Sequence, residues 1–114
     1  MLQDVPEELM PLLAERLRAL GDAGRLRVMA QLSEGERTIG ELVAALGMTQ
    51  PNVTRHVDRL EQAGWVTRRR DGTRVWVRLA DGVSHDLCDC LCRTIRRQAA
   101  ALAARVGVTP DAMQ

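Results

Sequence analysis

The chain has 114 residues, enough for one domain and too few for a catalytic domain beside a separate regulatory one. Apolar residues make up 46% of it, mostly Ala, Leu and Val, and with no Phe or Tyr its aromatic bulk comes from Trp65 and Trp76 alone, so a modest core is expected to share apolar surface with a second copy. Net charge is +1, no charged segment followed by an apolar run opens the chain, and no apolar stretch approaches the roughly 20 residues of a membrane span; the expected setting is the cytoplasm, with reduced thiols and no membrane partner.

In chain order, Glu7 to Leu20 has Leu9, Leu12, Leu13, Leu17 and Leu20 at helical spacing and reads as an amphipathic helix. Asp22 is an N-cap for a second helix through Leu32, with an apolar stripe of Leu26, Val28, Met29 and Leu32. Thr38 caps a short third helix, Ile39 to Leu46, which stops at Gly47. Thr49 caps a fourth helix, with Pro51 tolerated in its first turn, that runs to Ala63 and ends at Gly64. Val66–Arg70 and Arg74–Leu79 are two β-rich runs joined by Asp71-Gly72, a strong hairpin signal. A long helix, roughly Val83 to Val106, closes the domain, leaving Gly107–Gln114 as a frayed tail. The expected organisation is one domain over residues 1–106 and a flexible tail over 107–114.

Two short helices around a tight turn, followed by a hairpin, make a mostly α-helical winged helix-turn-helix. Charge supports that reading once it is mapped along the chain. Residues 1–50 carry five Arg against eight acids, residues 51–79 carry seven Arg against Asp58, Glu61 and Asp71, and residues 80–114 carry four of each sign. Lysine is absent, so the fixed side-chain cations are guanidinium groups, which match phosphate and guanine edges. Basic charge focused on one segment is the footprint of a nucleic-acid surface.

The fourth helix has the chemistry of a reading helix. Val53, Val57 and Leu60 share one face, expected to pack inward. Asn52, Arg55, His56 and Arg59 share the other, with Gln50 and Thr54 near the helix start, where phosphate is favoured. Arg68, Arg69, Arg70 and Arg74 crowd the hairpin tip, where a wing lies along a neighbouring groove. These ten residues are the candidate contacts to double-stranded operator DNA. His56 has a second reading, a helix-surface histidine positioned by its neighbours.

The segments LGDAGRLRVMAQL and IGELVAALGMTQPNVTRHVDRLEQAGWVTRRRDGTRVWVRL, with the trailing long helix, resemble the ArsR/SmtB family of metal-responsive repressors. The resemblance spans about Leu17 to Val106, and TQPNVTRH is its most specific part. It implies a homodimer paired through the first and last helices, bound to an inverted-repeat operator and released by an inducer. It also carries Gln50, Asn52, Thr54, Arg55 and His56 over as DNA-contacting positions. Two family sites are absent. Where arsenic-sensing members have ELCVCDL, this chain has Glu36 to Leu42 without cysteine. Zinc-sensing members place further His and Glu along the last helix, whereas here His85 and Asp86 have no such followers.

What remains is SHDLCDCLCR, which holds the three cysteines, Cys88, Cys90 and Cys92. At about 100° per residue, Cys88 and Cys92 share one side of a helix and Cys90 points roughly opposite. One regular helix therefore cannot close three thiolates on one ion, and either the first turn unwinds or both copies of the helix contribute. Thiolates without histidine suit As(III) or Sb(III) as inducer, a ranking that rests partly on the family likeness, with Cd(II), Pb(II) or Zn(II) as the alternative. A redox- or persulfide-sensing repressor would use the same thiols. The sequence shows no phosphate-cradling loop, no CxxC and no Ser/His/Asp arrangement, so no enzyme is expected.

Overall fold

A computed structural model of the chain describes residues 2–83 and 85–107, except for the side chains of Leu2, His85, Leu87 and Cys88. The expectation of a frayed tail thus lies outside the described residues from position 108 on. The chain forms two compact units, Met1–Val83 and Ser84–Gln114.

In the first unit, 3₁₀ turns at Leu2–Asp4 and Glu7–Leu9 precede helix α1, Met10–Leu20. The predicted single helix from Glu7 is therefore split. Pro11 lies in the first turn of α1, where its missing amide costs nothing, so the regular helix begins only beside it. Helix α2 spans Ala23–Leu32, and the Asp22 side chain caps it by accepting from the Arg25 amide. Strand β1, Arg37–Thr38, leads into helix α3, Ile39–Leu46. Thr38 and Glu41 form a reciprocal capping box at the start of α3, and Gly47 closes it in the left-handed conformation. Helix α4, Gln50–Gln62, is capped by the Thr49 hydroxyl, which accepts from the Asn52 amide.

Strands β2, Val66–Asp71, and β3, Arg74–Leu79, form the antiparallel hairpin, and β1 adds to β3 to give the order β1-β3-β2. The two residues of β1 are too few to show alternation and were not expected from the sequence. Within the hairpin, Arg68 lies opposite Val77 and Arg70 opposite Val75, while Arg69 lies opposite Trp76. Because strand side chains alternate, Arg68 and Arg70 share the face of the buried Val66 and Val77, and Arg69 is on the other.

Val28, Leu42, Val53, Val57, Leu60, Val66 and Val77 are fully buried and tie α2, α3, α4 and the hairpin into one core. Val28, Met29 and Leu32 of the expected α2 stripe and Leu20 of the first stripe join it, but other members of both stripes do not. Leu9, Leu12 and Leu17 are 45–49% exposed along the first helical segment, and Leu26 of α2 is also exposed. The amphipathic period was read correctly, but in α1 the apolar face is turned outward apart from Leu20 and the half-buried Leu13.

The second unit contains helix α5, His85–Val106, which starts two residues later than the sequence suggested. Val83 instead packs against the core of the first unit, after Gly82 turns the chain with φ near 87°. On α5, Leu91, Ile95, Leu102 and Val106 are exposed. No helix among the described residues is long and apolar enough to cross a membrane.

Candidate nucleic-acid interface

Three caps fix the starts of α2, α3 and α4, and the third aims the first turn of α4 at the hairpin. Gln50 and Thr54 of α4, Gly40 and Ala44 of α3, and Arg70 and Arg74 of the hairpin line an open groove of about 830 Å³. Arg70, Arg74 and Gln50 are exposed, and among the described residues no carboxylate lies within ion-pair distance of either arginine. Glu41 also borders the groove, but its carboxylate accepts from the Thr38 amide at 3.0 Å. That backbone hydrogen bond, followed by the one between the side chains, holds the Glu41 carboxyl below the ordinary carboxylate range.

Arg55 is exposed one turn into α4, and its Nη2 donates to Asn52 Oδ1 at 2.8 Å. Of the polar residues on the first turns of α4, Gln50 and Thr54 line the groove with Arg70 and Arg74, while Asn52 and Arg55 pair with each other outside its lining. The remaining candidate residues are held differently.

Arg68 points back to α4. Its Nη1 is 2.7 Å from Asp58 Oδ1 and its Nη2 is 2.6 Å from Glu61 Oε1. The side chain is 28% exposed, and the Glu61 hydrogen bond, reinforced by both carboxylate charges, raises its pKa above the ordinary value. Arg69, on the other face of the sheet, forms a two-pronged pair with Glu36, at 2.8 and 3.2 Å, and lies 5.3 Å from the centre of the Trp76 ring. Arg69 in turn holds the Glu36 carboxyl below its ordinary range. Arg59, in the last turn of α4, pairs with Glu15 of α1 at 3.2 Å. Of the four arginines expected to crowd the hairpin tip, Arg68, Arg70 and Arg74 line the groove, Arg68 while ion-paired to α4, and Arg69 lies on the other face of the sheet.

His56 lies against the start of α2. Its side chain is only 15% exposed, and Nδ1 lies 3.8 Å from Asp22 Oδ2 at the start of α2. Strand parity was the sequence signal that separates Arg69 from Arg68 and Arg70; no comparable local signal existed for His56. Sequence reading also missed Arg16. Its backbone carbonyl accepts from Trp65 Nε1 at 2.8 Å, and its guanidinium donates to the Ala63 carbonyl at 2.8 Å, seating the end of α4 on α1. Gly64 is required there, since its φ is near 81° and a Cβ would collide with the Arg16 guanidinium.

In the second unit, Cys90 and Cys92 are free and exposed, while the side chain of Cys88 lies outside the described residues, as does that of the accessory candidate His85. Among the described residues no three His, Cys, Asp or Glu side chains form a group able to hold a metal ion. Helix α5 is regular from His85 onward, and Thr94 Oγ1 donates to the Cys90 carbonyl one turn back.

A three-helix core, a reading-helix position and a β-hairpin beside it define the class as a winged helix-turn-helix. A model of bacterial regulatory proteins of the arsR family matches residues 22–68. The HTH-type transcriptional repressor SmtB of Mycobacterium tuberculosis is 43% identical over 76 residues, covering 67% of this chain and 56% of that protein. The chain thus spans little more than half the length of this curated relative. The uncharacterized HTH-type transcriptional regulator Rv0081 of M. tuberculosis is 31% identical over 106 residues, covering 92% of this chain and 90% of that protein. Its crystal structure matches with a TM-score of 0.67 at 30% identity, over 89% of this chain and 99% of that one. A solution structure from Mycobacterium bovis, described as a homodimeric winged helix-turn-helix DNA-binding domain of a possible ArsR-family regulator, matches with a TM-score of 0.70 at 27% identity, over 77% of this chain and 82% of that one. The chain belongs to the ArsR family of bacterial regulatory proteins. These relatives carry the names of transcriptional regulators, not of enzymes.

Proposed function

We propose that the chain is a DNA-binding transcriptional repressor that acts as a homodimer and leaves its operator when a thiophilic metalloid, As(III) or Sb(III), binds its cysteines. The observation that carries the DNA part is the groove where Gln50 and Thr54 of α4 meet Arg70 and Arg74 of the hairpin. Polar side chains at the start of the helix reach base edges, and the two guanidinium groups neutralise phosphate and release counterions. Asn52 and Arg55 extend the reading surface along α4. Arg59, Arg68 and Arg69, each paired with a carboxylate, set the shape of that surface.

Homodimerisation is supported by the outward apolar residues of α1 and, separately, by those of α5. Burying such leucines stabilises association by about 25 cal/mol per Å² of apolar surface removed from water. The inducer reading rests on the exposed thiols of Cys90 and Cys92 and on the family resemblance. Because α5 is regular, Cys88, Cys90 and Cys92 would hold a pyramidal metalloid as a set shared by two copies of the helix. A metalloid held there by the cysteine thiolates would have to bind the released form more tightly than the DNA-bound form, as reciprocity between inducer and DNA requires. The same exposed thiols favour one second reading, a soft divalent ion such as Cd(II), Pb(II) or Zn(II), or oxidation, as the signal.

The test is an anaerobic titration of the reduced protein on a fluorescent duplex that the protein itself has selected from a random pool. Fluorescence anisotropy should report release near stoichiometric As(III) or Sb(III). A Cys88→Ser/Cys92→Ser variant should bind the duplex equally well and stay bound. Release only by a divalent ion or only by a disulfide oxidant replaces the inducer, and no release by any of them returns the cysteines to a structural role. Failure to select any duplex overturns the DNA reading itself.

A further inference from the structure

His56 occupies the middle of the helix that the function above uses to read DNA, yet its imidazole is turned to α2. Nδ1 is buried without a hydrogen-bond partner among the described residues, and the carboxylate facing it is Asp22 Oδ2, at 3.8 Å. That same oxygen accepts from the Arg25 amide at 3.0 Å and so caps α2. On the other edge of the ring stands Gly24, in the first turn of α2. A Cβ at position 24 would lie 2.6 Å from His56 Nε2 and 3.0 Å from Cε1, closer than side-chain carbons come to other atoms. The imidazole thus fills the space that a missing side chain leaves at the capped start of α2.

Resting on the DNA reading, we propose that His56 is a positioning residue: it seats α4 on the start of α2 through Asp22 and the space at Gly24, and touches no DNA. Three features point the same way. A base- or phosphate-contacting side chain must be solvent-facing in the free protein, and His56 is one of the less exposed polar side chains of α4. Glycine favours a helix less than alanine does, and the close approach of the ring accounts for the missing methyl at position 24. Finally, α4 is held at its far end by Arg16 on the Ala63 carbonyl, so a second hold near its middle fixes direction as well as position.

The experiment compares four chains, the wild type, Gly24→Ala, His56→Ala and the double variant, on a duplex selected by the wild type from a random pool. Affinity is read by anisotropy, folding by thermal unfolding, and base preference by repeating the selection with each variant. Gly24→Ala pushes the ring outward and should weaken binding about tenfold, and His56→Ala should do the same. The double variant should bind no more weakly than His56→Ala, because the added methyl enters space the ring has left. Base preference should be unchanged in all four. His56→Asn, which keeps an amide nitrogen near the place of Nδ1, should recover most of the affinity, and it serves as the readout if His56→Ala unfolds. Additive losses in the cycle, a change in base preference at one position on replacing His56, or a neutral Gly24→Ala would each overturn the assignment. A wild type that selects no duplex overturns the DNA reading, and this assignment with it.

Discussion

Arg68 and Arg70 are two residues apart on the same face of β2, and the structure gives them different work. Both border the groove, but Arg68 joins Asp58 and Glu61 of α4 at 2.7 and 2.6 Å, whereas Arg70 has no carboxylate at ion-pair distance among the described residues. Replacing Arg68 with Met removes its charge-assisted hydrogen bonds to Asp58 and Glu61 and leaves two carboxylates three residues apart on one helix. Each such bond is worth about 1.5–3 kcal/mol when well shielded, but exposed pairs contribute roughly 0.2–1 kcal/mol. For a side chain 28% exposed, the net loss should fall between these, at about 1–2 kcal/mol for the pair. In a domain of this size that lowers the melting temperature by about 4–8 °C. DNA affinity should also fall as the hairpin loosens, with the dependence of log K on log salt unchanged. Arg70→Met should melt like the wild type and lower the magnitude of that slope by about 0.9, the loss of one phosphate contact. Calorimetry and anisotropy between 50 and 200 mM salt read both quantities. An Arg68→Met variant with a wild-type melting temperature and a slope reduced by about one would make Arg68 a phosphate contact and refute the bracing role.

Leu42→Ala empties a fully buried site between α3 and its neighbours and should cost about 2–4 kcal/mol in urea unfolding; a loss under ~1 kcal/mol would contradict the packing. Glu41 is an acid whose folded pKa is depressed, so it adds stability above its unfolded value of about 4.3, and that stability is lost as pH falls through the folded value. The stability difference between wild type and Glu41→Gln, measured by urea unfolding, should therefore be present at neutral pH and vanish in acid; a difference independent of pH would show the capping carboxylate to be unperturbed. Leu17→Glu puts a carboxylate into the exposed stripe of α1, and sedimentation velocity should find a folded single chain where the wild type is a dimer. A variant that still sediments as a dimer removes α1 from the interface.

The elements were legible wherever their chemistry is local. Asp22, Thr38 and Thr49 cap the helices they were expected to cap, each acting within four residues, and the hairpin forms where expected, although Asp71 ends β2 and the turn itself is Gly72-Thr73. Partners distant in sequence were not legible. Glu36 and Arg69 are 33 positions apart, and Glu15 and Arg59 are 44, so nothing near either arginine says that it is occupied. Parity along β2 does separate Arg69 from its neighbours, and charge counting alone overlooked it. His56 needed the close approach of Gly24, which is a tertiary fact. The leucines of α1 show the limit of periodicity: spacing reveals that a face is apolar but not whether the same chain covers it. The cysteines are similar, since their alternation is visible in sequence while the groups that approach them are not.

The central claim is that the groove between α4 and the hairpin is the DNA surface, and amide chemical shifts recorded while titrating the reduced protein with a selected duplex test it most directly. The perturbed amides should cluster at Gln50–Arg55 and at Arg70–Arg74, with the outer face of the sheet around Arg69 and Trp76 unaffected. Shifts concentrated on that outer face, or on α5, with the groove silent, would contradict it.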